Sequence, residues 1–413
     1  MNKYSNISKM IKISEPSWKV AEQEGISGLN VAYIKTPFLQ SKGIEFINMC
    51  SCSYLGLDTH KDILQGASQG VLKAGSLHLT TARTRLKITM LSELEERLSA
   101  HYQGYAASYV TCSAATSAFL PIFASGTFTQ DVKPVMVFDK FAHFSMNHIK
   151  PICADETQVL TSPHNDLNFL EDICRRNKKV AYIADGTYSV DGFAPIDELL
   201  YLQEKYGLFL YLDDSHGLSV TGDKGEGYIL NKIGGINENT VVVGSLAKAF
   251  GACGGLLLSG RKEMIECVVR YGNPWSQYLN SAGIGGCLAA LDIHQSPELA
   301  IRQKRWRENL NIIDNSFSVI NSGMESPIRV VLLKSAEAAV KAAKLLLNEG
   351  YYTSSVFFPI VPRDKAGLRI MPSANVSAEQ MHNFCQKVKQ ICADDLLSSE
   401  DKSLSTPSSV STY

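Results

Sequence analysis

Among the residues able to do chemistry, one lysine stands apart. In SLAKAFGACGG, residues 245–255, Lys248 lies in a run of small and apolar side chains directly after the apolar run TVVVG. An unpaired ammonium in such surroundings is costly. One physical solution is to consume the amine as a Schiff base with an aldehyde, because desolvation lowers its pKa and enlarges the nucleophilic fraction. The flanking glycines let a backbone and a bulky ring come close together. A lysine snorkelling from a strand end fits this stretch equally well.

A second stretch favours the Schiff base. LFLYLDDSHGLSVTG, 208–222, is an apolar run that delivers Asp213, Asp214 and His216 at its C-terminal end, the edge at which open α/β sheets bind ligands. Consecutive strand residues point to opposite faces, so only one of the two aspartates faces a site. A carboxylate there can pair with a protonated pyridine nitrogen, and a histidine three residues on can hydrogen-bond a ring oxygen. Taken alone, the same residues also read as a metal pair or a satisfied polar cluster at a strand end. A third stretch, TCSAATSAF at 111–119, reads as a small-residue turn opening a helix. The main-chain N–H groups of Cys112 and Ser113 would there face an anion, and a plain N-cap is the other reading.

The elements that must position these groups are short apolar runs at 134–138, 180–184, 208–212, 240–243 and 255–258, with helical periodicity between most of them, as at 167–174 and 196–206. Fully apolar strands alternating with amphipathic helices predict an α/β fold with a mostly parallel sheet covered on both faces. We expect an N-terminal arm over 1–44, a large domain over 45–300, a small α+β domain over 301–395 and a disordered Ser-rich tail over 396–413. In the small domain the pattern predicts strands at 328–333, 353–358 and 367–371, and helices at 335–349 and 377–393.

Composition excludes other classes. The 413 residues carry 40 Lys plus Arg against 41 Asp plus Glu, a net charge of −1, so nucleic acid is not the expected partner. The ten cysteines have no paired spacing and no clustered histidines; we expect no metal site, and reduced thiols in a cytoplasmic setting. The N-terminus lacks the apolar core of a secretory signal. The window 241–258 is nearly all apolar but has Lys248 at its middle, and it reads as buried chain, not as a stable membrane insertion.

A strand ending Asp-x-x-His-Gly, followed by a strand and S-x-x-K-A-F-G-x-x-G-G, resembles the pyridoxal-phosphate-dependent α-oxoamine synthases, which have the fold-type I aminotransferase architecture. Their members include 8-amino-7-oxononanoate synthase, serine palmitoyltransferase and the α-hydroxyketone autoinducer synthases. SYLGL (53–57), FDKFAHFS (138–145), DGTYSVDGFAPI (185–196), GDKGEG (222–227) and GLRIMPSA (367–374) follow in the same order. The resemblance covers about 45–390.

It implies a site. Lys248 would form the Schiff base and later move the α-proton, Asp213 would hold the pyridinium proton, and His216 would bond the phenolic oxygen. His143 would stack on the ring, Ser189 would lie beside the cofactor oxygen, and Arg369 would clamp the amino-acid carboxylate. Cys112, Ser113 and Ser245 would hold the phosphate, with Ser276 reaching it from a neighbouring subunit of a homodimer. The implied reaction is a decarboxylative condensation of an amino acid with an acyl thioester, carried by coenzyme A or an acyl carrier protein. Aminotransferase or aldolase chemistry would use the same lysine and aspartate, and a non-catalytic partner subunit would not need the lysine. The chain departs from the family pattern at Cys52, at Cys112-Ser113, over 74–99 and at Asp185, where many relatives have Glu. These changes bear on the choice of substrate.

Overall fold

The computed structural model describes residues 7–190, 192–273, 275, 277–358, 360–361 and 365–396. The chain forms two compact units. The first takes residues 52–304; the second joins 7–51 to the described residues from 305 onward. The segment expected as a separate arm thus groups with the C-terminal residues, and the division falls inside the helix Pro297–Asp314. Of the expected tail, residues 397–413 lie outside the described residues.

The first unit is built on seven strands: β1 (Tyr105–Tyr109), β2 (Val135–Asp139), β3 (Val159–Ser162), β4 (Val180–Asp185), β5 (Phe209–Asp213), β6 (Thr240–Ser245) and β7 (Gly255–Ser259). Their spatial order is β1-β7-β6-β5-β4-β2-β3. All neighbours run parallel except β7, which is antiparallel to both β1 and β6. Strands β2, β4, β5 and β7 are buried along their whole length, which explains why they read as continuous apolar runs instead of alternating ones. The helix Cys112–Ala124 lies on one face. Its Phe119 stacks on Tyr211 of β5 at 5.4 Å, and Phe123 meets Phe209 at 4.1 Å. The apolar window 241–258 is a strand, a turn and a strand, and no described helix is long and apolar enough to cross a membrane.

The second unit has two small sheets. Residues Ala32–Lys35, Phe38–Ser41 and Ile44–Asn48 form an antiparallel meander, to which Tyr351–Tyr352 adds in parallel. The other sheet places Ala366–Ile370 between Arg329–Leu333 and Ser354–Val356. Helices Ala336–Asn348 and Ala378–Cys392 bury Val340, Leu346, Phe384 and Val388 with Val331 and Leu368 in one apolar core. Ser335 and Ser377 cap these helices through hydrogen bonds to the N–H groups of Ala338 and Gln380, as serine at an N-cap should.

Candidate active site

Four strand ends and one helix start converge at the carboxyl edge of the large sheet. The end of β5 separates its two aspartates. Asp213 accepts the Ser215 N–H on Oδ1 at 2.9 Å and the Cys112 thiol on Oδ2 at 3.5 Å. Burial, then the charge of Asp213, pushes the Cys112 pKa well up, which keeps the sulfur a donor. Asp214 faces the other way. It takes the Thr187 hydroxyl at 3.2 Å and the Ile229 N–H at 3.0 Å, and a Cβ on Gly217 would collide with its carboxyl. Burial raises the Asp214 pKa to about 8. Asp214 has its carboxyl taken up by the Thr187 hydroxyl and the Ile229 N–H, whereas Asp213 Oδ2 meets only the weak Cys112 thiol donor.

After β6 the chain turns sharply through 246–254, closed by hydrogen bonds from Leu246 N–H to Gly254 O (2.9 Å) and from Ala252 N–H to Leu246 O (3.0 Å). Lys248 stands half-buried in this turn. Its Nζ lies 3.0 Å from Nε2 of His216, and Nδ1 of His216 lies 2.6 Å from the hydroxyl of the fully buried Tyr54. An ammonium has no lone pair. A protonated Lys248 therefore donates to Nε2, leaving Nδ1–H to donate to Tyr54.

The start of helix Cys112–Ala124 supplies the anion side. Thr111 caps it through a hydrogen bond from the Ala114 N–H at 3.0 Å, and Cys112 and Ser113 hold first-turn N–H groups that have no partner within the helix. The helix can approach β7 this closely because residue 255 is glycine; a Cβ there would collide with the main chain of Thr111 and Cys112. Ser245, at the end of β6, donates its N–H to the Ser215 hydroxyl at 2.8 Å, and its own hydroxyl accepts the Ala247 N–H.

His143 begins the short helix Phe144–Asn147, with an exposed ring whose Nδ1 accepts the Ser145 N–H at 3.2 Å. Its own N–H donates to Asp185 Oδ2 at 2.7 Å. Asp185 ends β4 in register with Asp213; burial, then the charge of Asp213, pushes its pKa well above the carboxylate range. Asp139, at the end of β2, fixes the same loop by accepting the N–H groups of Phe141 and Asn165 and bonding His164. Burial opposes its charge, but the hydrogen bonds outweigh burial and hold its pKa low. Ser189 sits half-buried at the tip of the loop 186–194 and is not hydrogen-bonded to any of these side chains. Ser276 lies outside the described residues.

Arg369 belongs to the second unit, on the middle strand of its three-stranded sheet. It is half-buried, and its Nε is buried with no hydrogen-bond partner, which is costly for a cationic group without a ligand.

Two hydrogen-bonded groups therefore lie side by side at the sheet edge: Lys248 with His216 and Tyr54, and Asp213 with Cys112 and Ser245 through Ser215; His143 donates its N–H to Asp185, the register neighbour of Asp213. Sequence reasoning passed over Tyr54 and Ser215 as individual groups. Both lie inside stretches that the sequence singles out, Tyr54 in SYLGL and Ser215 between Asp214 and His216, but nothing local marks either residue itself. The donor set fits pyridoxal phosphate: an amine for the aldehyde, a carboxylate for the ring nitrogen, and free helix N–H groups with a serine hydroxyl for the phosphate.

Residues 44–388 match the family model for aminotransferase class I and II. The chain is 27% identical over 398 residues to the 8-amino-7-oxononanoate synthase of Fervidobacterium nodosum, covering 92% of this chain and 97% of that protein. The enzyme of that name from Petrotoga mobilis is 29% identical over 373 residues, covering 86% and 90%. Among solved structures, a serine palmitoyltransferase from S. paucimobilis with a bound PLP–myriocin aldimine aligns with a TM-score of 0.81 at 19% identity, over 94% of this chain and 98% of that one. The chain belongs to the aminotransferase class I and II family and, within it, to the α-oxoamine synthases, acyltransferases that depend on pyridoxal 5′-phosphate.

Proposed function

We propose that the enzyme condenses an amino acid with an acyl thioester, with loss of carbon dioxide, to give an α-amino ketone. The observation that carries this reading is the 3.0 Å contact between Lys248 Nζ and His216 Nε2 at the strand edge that also presents Asp213. The names of the relatives support it, since they are 8-amino-7-oxononanoate synthases and serine palmitoyltransferases. When bound, the cofactor supplies an electron sink for negative charge at the α-carbon of the amino acid.

The side chains divide the remaining work. Lys248 holds the cofactor aldehyde and, once released, takes the α-proton. Asp213 keeps the ring nitrogen protonated, with its Oδ1 anchored by the Ser215 N–H. His216 hydrogen-bonds the phenolic oxygen, its ring held by Tyr54. His143 covers the ring face and places a donor where oxyanion charge develops on the thioester carbonyl. The N–H groups of Cys112 and Ser113 and the hydroxyl of Ser245 hold the phosphate, with Ser189 beside the phenolic oxygen. Arg369 takes the amino-acid carboxylate, which would satisfy its buried Nε.

We infer a homodimer; among the large apolar side chains that the first unit exposes, Leu72 (69% exposed), Leu77 (59%) and Trp275 (60%) are ones a second copy would cover. All ten cysteines are free, which supports work in the reducing cytoplasm. The test is a panel of amino acids with acyl-coenzyme A and acyl carrier protein donors, following carbon dioxide and free thiol together. Condensation releases both, and only when both substrates are present. Formation of an oxo acid without any thioester would replace this reading with transamination.

A further inference from the structure

His294 ends the helix Ser281–His294 and is almost fully buried, outside the residues so far given a role. Its two ring nitrogens are both bonded. Nδ1 lies 2.7 Å from the Ala290 carbonyl and Nε2 lies 2.8 Å from the Ser219 hydroxyl. A carbonyl can only accept, so Nδ1 carries the proton and Nε2 accepts from Ser219. Burial, the leading cause, lowers the His294 pKa to about 4, so this neutral tautomer persists across the working range. The flat face of the ring lies against Phe250, with centroids 4.7 Å apart and planes tilted by 31°. On another side the edge of His101, from helix Thr89–Tyr102, meets it at 5.9 Å.

The positions of these two partners along the chain matter. Phe250 is two residues after Lys248, and Ser219 is three residues after His216. Lys248 and His216 meet again at 3.0 Å. The path from Lys248 along the chain to Phe250, across to His294 and Ser219, along the chain back to His216 and across to Lys248 closes on itself through three contacts and two short stretches of chain. Ser219 is also unusual in itself. It adopts a left-handed backbone with φ of 70°, which a residue with a side chain holds only when its surroundings over-determine it. Here its N–H donates to Gly225 O at 2.9 Å, its carbonyl accepts from Gln303 Nε2 at 2.9 Å, and its hydroxyl donates to His294.

We propose that His294 is a positioning residue that locks the turn carrying Lys248 to the turn carrying His216, and so sets how both meet the cofactor. The proposal rests on the assignment of Lys248 and His216 as cofactor partners. Without the hydrogen bond to Nε2, Ser219 loses one of three anchors and relaxes from its strained backbone, and His216 moves with it. Without the ring, Phe250 loses its packing partner and the Lys248 turn loosens.

The test uses the full-length protein with pyridoxal phosphate itself as the probe. Cofactor affinity is measured by absorbance titration, the pH midpoint of the bound cofactor's visible band is recorded, and the melting temperature of the cofactor-free protein is followed in parallel. In H294L we expect affinity to fall about tenfold or more and the pH midpoint to move. H294Q, which returns a polar atom near the place of Nε2, should recover part of both. S219A removes the same bond from its other end and should move the midpoint in the same direction, even if H294L fails to fold. Binding within about twofold of the natural protein and an unmoved midpoint in S219A, or a lower melting temperature as the sole change in H294L, would overturn the proposal. If the natural protein itself bound no pyridoxal phosphate at Lys248, the underlying assignment would fall first, and this proposal with it.

Discussion

Asp213 and Asp214 are adjacent in the chain, both buried, and they serve two regions of opposite character. Around Asp214 the protein closes completely: the Thr187 hydroxyl and the Ile229 N–H occupy the carboxyl, and Gly217 leaves no room for anything else. Around Asp213 one oxygen is held by a main-chain N–H, while the other meets only the weak thiol donor of Cys112. The second unit repeats the contrast with arginines. Arg329 gives Nε and Nη2 to Asp314 at 2.6 and 2.8 Å, and three further bonds to the carbonyls of Ser326, Ile328 and Met324. Arg369, on the paired strand, keeps a buried Nε with no partner. Asp214 and Arg329 complete their own hydrogen bonding within the fold, and we propose that Asp213 and Arg369, left incomplete, complete theirs with a ligand.

That contrast can be broken by exchange. The largest effect should come from Asp213→Asn, which keeps shape but removes the charge we propose to face the ring nitrogen; turnover should fall on the order of 10²–10³-fold with an unchanged melting temperature. Arg329→Met should do the reverse. It leaves the Asp314 carboxylate without its partner, and stability measured in urea should fall by about 3–5 kcal/mol. Arg369→Lys should leave stability alone and raise KM for the amino acid about 10–100-fold, the loss of one bidentate charged contact. An equal loss of stability in both arginine variants would erase the distinction.

Asp214→Asn gives the most diagnostic effect. The folded pKa of Asp214, about 8, lies above the ordinary aspartate value of 3.8. The folded protein therefore holds a proton that the unfolded chain releases, and the stability this group contributes is greatest below about pH 4 and declines as pH rises towards 8. Urea titrations from pH 5 to pH 9 should show this slope in the natural protein and a flatter profile in the variant.

Much of this was legible beforehand, for physical reasons. Strands β4, β5 and β6 are buried on both faces and so had to be uninterrupted apolar runs, and the groups they deliver at their carboxyl ends sit next to those runs in the chain. Strand β1, with the sequence YAASY, is too poor in large apolar residues to be recognised, and its antiparallel pairing with β7 makes the sheet mixed at that edge. The Tyr54 bond to His216 spans 162 positions, a separation that no local pattern reports. Ser215 carries no signal of its own because a lone serine at a strand end is commonplace. Residues 7–51 read as an arm because their short strands complete a sheet through Tyr351–Tyr352, some 300 residues away.

The central claim is that Lys248 carries the cofactor. Borohydride reduction of the protein loaded with pyridoxal phosphate, followed by peptide mass mapping, tests it directly. The account predicts one pyridoxyl-phosphate adduct per chain, on the peptide that contains Lys248. An adduct instead on Lys150, a buried amine whose pKa burial lowers to about 8, or no adduct at all, would contradict it.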